Sequence, residues 1–266
     1  MIELEKLCKD VIKVATEAGS FIAREAEHFN SASVEKKGRN NFVSFVDKAS
    51  EEMIIKNLSS LLPGSGFLAE EGTYSGKREP YTWIIDPLDG TTNFIHGAPP
   101  YSVSIGLMDE SKVILGVVYE ITHRECFYSW EGAPSFLNDK KIKVSEAGKV
   151  GDSLVATGFP YTDYKLMQQA LNFLEYLFVE SHGVRRLGSA AADLAYVACG
   201  RYDLFYEYGL NPWDVAAGDI IIRNAGGKLT DFNGGNDYIF GKRIIASNSK
   251  THEEFLHLIK KYYTQN

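Results

Sequence analysis

Residues 83–94 read WIIDPLDGTTNF. An apolar run, Trp83-Ile84-Ile85, stops at Asp86; a second aspartate, Asp89, follows after Pro87 and Leu88, and then come Gly90, Thr91 and Thr92. Pro87 restrains the backbone between the two carboxylates, and Gly90 permits a sharp departure or a close approach. All four residue types of Asp-Pro-x-Asp-Gly are turn formers, so a plain tight turn stays open on this fragment alone. The other reading is a metal site beside a phosphate. If a helical turn begins near Asp89, the N–H groups of Gly90 and Thr91 point outward as an anion cradle.

Outward from this stretch, the chain of 266 residues is 44% hydrophobic and 24% charged, enough to bury a sizeable core. A net charge of −7 argues against nucleic-acid or anionic-membrane partners and favours local capture of cations. Cys8, Cys126 and Cys199 are odd in number and widely spaced, fitting neither a disulfide framework nor a zinc knuckle. With no signal-like N-terminus and no spanning segment, the expected location is the cytoplasm.

Leu4, Leu7, Val11, Ala15, Ala18 and Ile22 recur at helical spacing, which predicts an amphipathic helix over 2–29. NSASVEKKGRNN (30–41) reads as a mobile loop. Val46, Ala49, Met53, Ile54, Leu58 and Leu61 mark a second helix, ended by Pro63-Gly64. GFLAE, YTWIID, YSVSIGLM, KVILGVVYEI and ECFYSW then read as strands of a mostly antiparallel sheet. Beyond residue 150 the pattern alternates: strands at SLVATGF, YDLFYE and RIIAS, and helices over 163–180, 189–199, PWDVAAGDIIIRNAG and 251–263. Helices layered with sheets in both halves predict a layered α/β sandwich, with an N-terminal half over 1–150 and a C-terminal half over 151–266.

Five acids, Asp47, Glu70, Asp86, Asp89 and Asp214, each sit at the end of an apolar run. If they converge, they repel and hold protons unless a cation neutralises them. Hard oxygen ligands suit Mg²⁺, with Mn²⁺ as a substitute, and not zinc. Taken singly, other pieces have plainer readings. Glu70 can be a solvated strand end, Asp214 a first-turn acid complementing a helix dipole, and the base Lys36 a solvated loop charge. No Gly-x-x-x-x-Gly-Lys-Ser/Thr loop and no Gly-x-Gly-x-x-Gly fingerprint is present.

Taken together and in chain order, NNFVSFVDKASEE, FLAEEG, WIIDPLDGTTNF, RRLGSAAADLAYVACG and NPWDVAAGDIIIRNAGG (211–227) resemble the segments of the inositol monophosphatase family. The resemblance implies an αβαβα sandwich and a lithium-sensitive, Mg²⁺-dependent phosphomonoesterase, usually a homodimer, holding two to three ions. It implies Glu70, Asp86 and the Leu88 carbonyl as ligands of one metal, and Asp86, Asp89 and Asp214 as ligands of a second. Gly90 and Thr91 resemble the phosphate cradle. Gly188, Ser189 and Ala190 resemble a backbone contact to the sugar or polyol, and Glu207 matches a position that binds substrate hydroxyls. Lys36 matches the mobile loop that closes over the metals.

The expected chemistry is hydrolysis by water whose pKa a metal lowers. The resemblance pairs the Thr91 hydroxyl with Asp47, which implies that it orients that water and accepts its proton. The expected partner is a small phosphate monoester, inositol 1-phosphate or a related polyol or sugar phosphate. The alternatives are fructose 1,6-bisphosphate, histidinol phosphate or the 3′-phosphate of an adenosine nucleotide on the same site, and a protein-binding role with incidental activity.

Overall fold

The computed structural model describes residues 2–28, 35–38, 41–43, 45–73, 79–159 and 164–263, with the backbone alone for 35–38 and 41–43. Five layers stack as α-β-α-β-α. The first holds α1 (Leu4–His28) and α2 (Phe45–Leu61). Leu7, Val11, Val14, Ala15, Ala18 and Ile22 form the buried face of α1, the helical period seen in the sequence.

Under these helices lies a seven-stranded sheet in the order β3-β4-β5-β6-β7-β8-β9. Its strands are β3 (Gly66–Ala69), β4 (Tyr81–Asp89), β5 (Ser102–Asp109), β6 (Lys112–Glu120), β7 (Glu125–Trp130), β8 (Phe136–Leu137) and β9 (Lys140–Lys141). Every pairing is antiparallel except β3 with β4, which run parallel. Helix α3 (Thr91–His96) follows β4 directly.

The second sheet has the order β11-β10-β12-β14-β13, built from β10 (Leu154–Thr157), β11 (Gly183–Arg185), β12 (Leu204–Tyr208), β13 (Lys228–Thr230) and β14 (Arg243–Ser247). Helices α4 (Met167–Glu180) and α7 (His252–Tyr263) cover its outer face. Between the two sheets lie α5 (Ala190–Ala198) and α6 (Pro212–Asn224). Every residue of α5 and the run Val215–Ile222 of α6 are buried. A helix apolar all round is what a position between two sheets requires. The one acid inside that run, Asp219, is paired with Arg223 at 2.7 Å and with the Tyr238 hydroxyl at 2.8 Å.

Two readings of the sequence change. Within the predicted loop over 30–41, Glu35–Gly38 (β1) pairs with Asn41–Val43 (β2) as an antiparallel ribbon. Its polar residues lack the apolar alternation from which a strand is read. The short strands β11 and β13 were not predicted, because three residues carry too little periodicity.

Helix α6 lies directly on the seven-stranded sheet, and this closeness depends on Gly116. A Cβ there would meet the Ala217 carbonyl oxygen at 2.4 Å and Ile220 Cγ2 at 2.8 Å. Gly116→Ala should therefore destabilise the fold by about 1–3 kcal/mol through overpacking. Gly148→Ala, where a Cβ meets nothing within 4 Å, should stay within about 0.5 kcal/mol. Urea unfolding of both variants checks the difference.

Candidate active site

The site forms where β4 ends. Side chains alternate across a regular strand, so residues three apart, such as Asp86 and Asp89, would point to opposite faces. The ladder shows how this is avoided: Asp86 pairs with Ser104 but Asp89 pairs with Ser102, so β4 carries one extra residue. That bulge contains Pro87, which has no N–H to give to the ladder. It brings both carboxylates to the face that Ser102 and Ser104 share. The Leu88 N–H turns inward and donates to Asp86 Oδ1 at 3.0 Å.

Asp214 arrives from the first turn of α6. The Asn211 N–H donates to its Oδ2 at 2.7 Å, so one oxygen does serve the helix start. The Ser104 hydroxyl, opposite Asp86 in the ladder, donates to the Trp213 carbonyl at 3.0 Å and ties that helix end to the strand. As a result Asp86, Asp89 and Asp214 each offer an oxygen within 4.8 Å of the others. Asp86 is 1% exposed and Asp89 8%.

Burial pushes all three carboxyls up, Asp86 and Asp214 strongly. Mutual repulsion adds to burial: Glu70, Asp89 and Asp214 act on Asp86, and Asp89 acts on Asp214. Glu70 stands outside the triad and is partly exposed. The parallel register Ala69↔Ile85 sets it beside Asp86 at the same sheet end. Three clustered oxygen donors, two of them buried, fit a hard divalent cation.

The Thr91 hydroxyl lies 3.1 Å from Asp47 Oδ1 and 3.1 Å from the Leu88 carbonyl. Asp47, at the start of α2, is 1% exposed. Gly90, with φ 94°, precedes α3, and a Cβ there would meet the Pro100 carbonyl at 3.1 Å and the Gly188 carbonyl at 3.3 Å. Close approach of two chain segments thus requires glycine at 90.

The segment around Gly188 is bonded to the end of β4. Asp89 Oδ2 accepts from the Ser189 hydroxyl at 2.5 Å and from the Ala191 N–H at 2.8 Å. Glu207, 8% exposed on β12, lines one pocket with Asp89, Gly188, Ser189, Ala190 and Asp214. Burial raises its carboxyl to about 8, against the pull of the Arg186 guanidinium. Of the residues singled out in the sequence, Lys36 alone cannot be placed, since its side chain lies outside the described residues.

Three residues of the site escaped sequence reading. Glu51, one turn after Asp47, accepts from the Glu71 N–H, the Thr73 N–H and the Thr73 hydroxyl, each at 2.7 Å, and so holds the segment after Glu70. Its i+4 spacing from Asp47 was the available signal. Asn93 donates to the Pro100 and Leu187 carbonyls, both at 2.7 Å. Asp193 lines the pocket beside Glu207. Inside helices, polar residues like these read as solvent-facing.

Buried carboxylates grouped at the ends of a strand and a helix, beside a hydroxyl–carboxylate pair, define the class of metal-dependent phosphatases. Comparison with known proteins agrees. The family model described as "Inositol monophosphatase family" matches residues 3–264. An inositol-1-monophosphatase of Mesorhizobium japonicum is 39% identical over 252 residues, covering 94% of this chain and 95% of that protein. The Nus factor SuhB of Haemophilus influenzae is 40% identical over 250 residues, covering 94% of each. The crystal structure of the extragenic suppressor protein suhB from Bartonella henselae superposes with a TM-score of 0.88 at 38% identity, covering 95% of this chain and 98% of that one. The chain belongs to the inositol monophosphatase family and is a phosphoric monoester hydrolase.

The raised carboxyls set a pH dependence. Unfolded aspartates titrate near ~3.9, and the folded, cation-free triad titrates higher. The folded state therefore binds the extra protons, and the cation-free protein loses stability as pH rises through the raised values. A divalent cation displaces these protons, so its stabilising effect should grow with pH. Adding Mg²⁺ should raise the Tm more at pH 8 than at pH 5.5. Equal shifts at both would contradict proton displacement.

Proposed function

We propose that the site hydrolyses phosphate monoesters of polyols, inositol 1-phosphate first among them, with two to three Mg²⁺ ions. The observation that carries the polyol reading is Glu207: a buried carboxylate in the same pocket as Asp89 and Asp214. Its carboxyl group accepts hydrogen bonds from ring hydroxyls and, once ionised, repels further phosphates, which ranks polyol esters above bisphosphates and nucleotides.

Asp86, Asp89, Asp214, Glu70 and the Leu88 carbonyl would hold the ions; the donor set is all oxygen, as Mg²⁺ requires. When bound, these ions supply charge neutralisation of the ester and a lowered pKa for the attacking water. The chain's own residues do the positioning. The Gly90 and Thr91 N–H groups, at the start of α3, receive phosphate oxygens. The Thr91 hydroxyl has one proton and two acceptors, and the Asp47 carboxylate is the stronger of them. With its proton drawn toward Asp47, the Thr91 oxygen accepts a hydrogen bond from the water and passes the water's proton to the carboxylate. Gly188, Ser189 and Ala190 face the alcohol part of the substrate.

Relatives named Nus factor SuhB give a second reading, a protein-binding role, its specific support. The complete acidic set makes catalysis the leading function.

Two experiments test the assignment. Thr91→Ala and Asp47→Asn should each lower kcat by ~10²-fold or more, and the double variant should be no worse than the worse single one, because the pair acts as a unit. Multiplicative losses would reject the pairing. Glu207→Ala should cut kcat/KM roughly 10- to 150-fold further on inositol 1-phosphate than on p-nitrophenyl phosphate, which offers no hydroxyls. Equal losses on both esters would mean that Glu207 supports the metal site instead.

A further inference from the structure

The pocket beside the acidic triad contains a second carboxylate besides Glu207. Asp193 lies in the first turn of α5 and is 1% exposed. It lines the same pocket as Asp89, Gly158, Arg186, Glu207 and Leu210. Its Oδ1 is buried and has no hydrogen-bond partner among the described residues.

No structural duty accounts for this carboxylate. The start of α5 is already capped by Ser189, whose hydroxyl oxygen accepts from the Ala192 N–H at 3.4 Å. A first-turn acid gains from the helix dipole, but that gain is smaller than the cost of burying a carboxylate oxygen without a partner. Alanine, already present at positions 190, 191, 192 and 195 of the same helix, would avoid that cost. Buried acceptors are normally satisfied, so an unpartnered carboxyl in the lining of a pocket calls for a donor from outside the chain.

The charges around it indicate what the donor is. The Arg186 guanidinium acts on Asp89, Asp193 and Glu207 alike, so it faces the same space. Phe159 packs near it, with the guanidinium carbon 5.7 Å from the ring centre. The pocket offers two carboxyl groups, both raised by burial, beside one guanidinium, a set with more acceptors than a second phosphate can use. Neutral hydroxyls suit it: they donate to the two carboxylates and can accept from Arg186.

We propose that Asp193 is a second hydroxyl acceptor in this site, so that Asp193 and Glu207 read two different hydroxyls of one cyclitol or sugar ring. The proposal rests on the polyol reading given above and narrows it. A ring must present two correctly placed hydroxyls, and a phosphate ester of a simple alcohol satisfies neither carboxylate. Because Glu207 comes from β12 and Asp193 from α5, the two contacts are set by different elements and can report on different ring positions.

The test uses the full chain with saturating Mg²⁺ and three kinds of substrate: inositol 1-phosphate, its mono-deoxy analogues and p-nitrophenyl phosphate. Asp193→Ala should lose about 10- to 100-fold more kcat/KM on inositol 1-phosphate than on the aryl ester. Asp193→Asn keeps one acceptor oxygen and the same shape, and should lose less. For one deoxy analogue, the loss from the missing hydroxyl and the loss from Asp193→Ala should fail to multiply. That position should differ from the one coupled to Glu207. If Asp193→Ala does not fold, Asp193→Asn carries the same cycle. Equal losses on both esters, or multiplicative losses for every analogue, would overturn the role of Asp193 while the polyol reading stands on Glu207→Ala. A wild-type chain that hydrolyses the aryl ester but no polyol phosphate would overturn both.

Discussion

Like charge confined in a small buried volume is the constraint on which the rest of this structure depends. Asp86, Asp89 and Asp214 come within 4.8 Å of one another with two of them almost wholly buried. No arrangement of this kind is favourable by itself, since each ionised carboxylate lacks solvent and faces another. The fold makes it tolerable by bonding each one. Asp86 accepts from the Leu88 N–H, Asp89 from Ser189 and Ala191, and Asp214 from the Asn211 N–H. What remains is the charge facing the common centre, which a divalent cation would neutralise. Holding a cation there and completing the fold would then be one energetic problem.

The same bonds join distant parts of the chain. Asp89 belongs to the seven-stranded sheet, and Ser189 and Ala191 to the start of α5 under the other sheet. Asn93 binds the Leu187 carbonyl, and Ser104 binds the Trp213 carbonyl. Helix α6 buries residues against both sheets, with Ile220 packed among Met108, Val118 and Ile244 in one core. A shift of α6 along the sheet would thus move Asp214 away from Asp86, and the close approach at Gly116 resists such a shift. Packing far from the three carboxylates sets their spacing.

Much of this was legible in the sequence. The apolar period of α1, the long strands β4 to β7 and the helix ended near Gly226 all follow from local pattern, because each is long and buried on a defined face. Asp86 and Asp89 stood out because they close an apolar run. The bulge that unites them was hidden: Pro87 marks a ladder defect, but only the partner strand shows that the defect adds a residue. The ribbon at Glu35–Gly38 and Asn41–Val43 was hidden by its polar composition. Glu51, Asn93 and Asp193 were hidden for a different reason. Each is a polar residue within a helical stretch, and whether such a residue meets solvent or a buried partner is decided by tertiary packing, which period alone does not contain.

On the proposed assignment, the site divides by chain segment. Residues from α2 through α3, namely Asp47, Glu70, Asp86, Asp89, Gly90 and Thr91, serve metal, phosphate and water. Residues from 186 to 210, namely Arg186, Gly188, Ser189, Ala190, Asp193 and Glu207, surround the alcohol. Phosphoryl transfer demands one fixed geometry, so the first group has little freedom to vary. The alcohol pocket has no such demand, because its hydrogen bonds need only match the hydroxyls offered. Asp214 belongs to both groups: it shares the metal triad with Asp86 and lines the pocket with Glu207. A substitution in the alcohol pocket can therefore redirect the substrate and leave the metal triad intact, provided that Asp214 does not move. On the same assignment, this separation would let one arrangement of carboxylates serve different alcohols, with substrate choice set on β12 and α5 and not on the strand that carries Asp86 and Asp89.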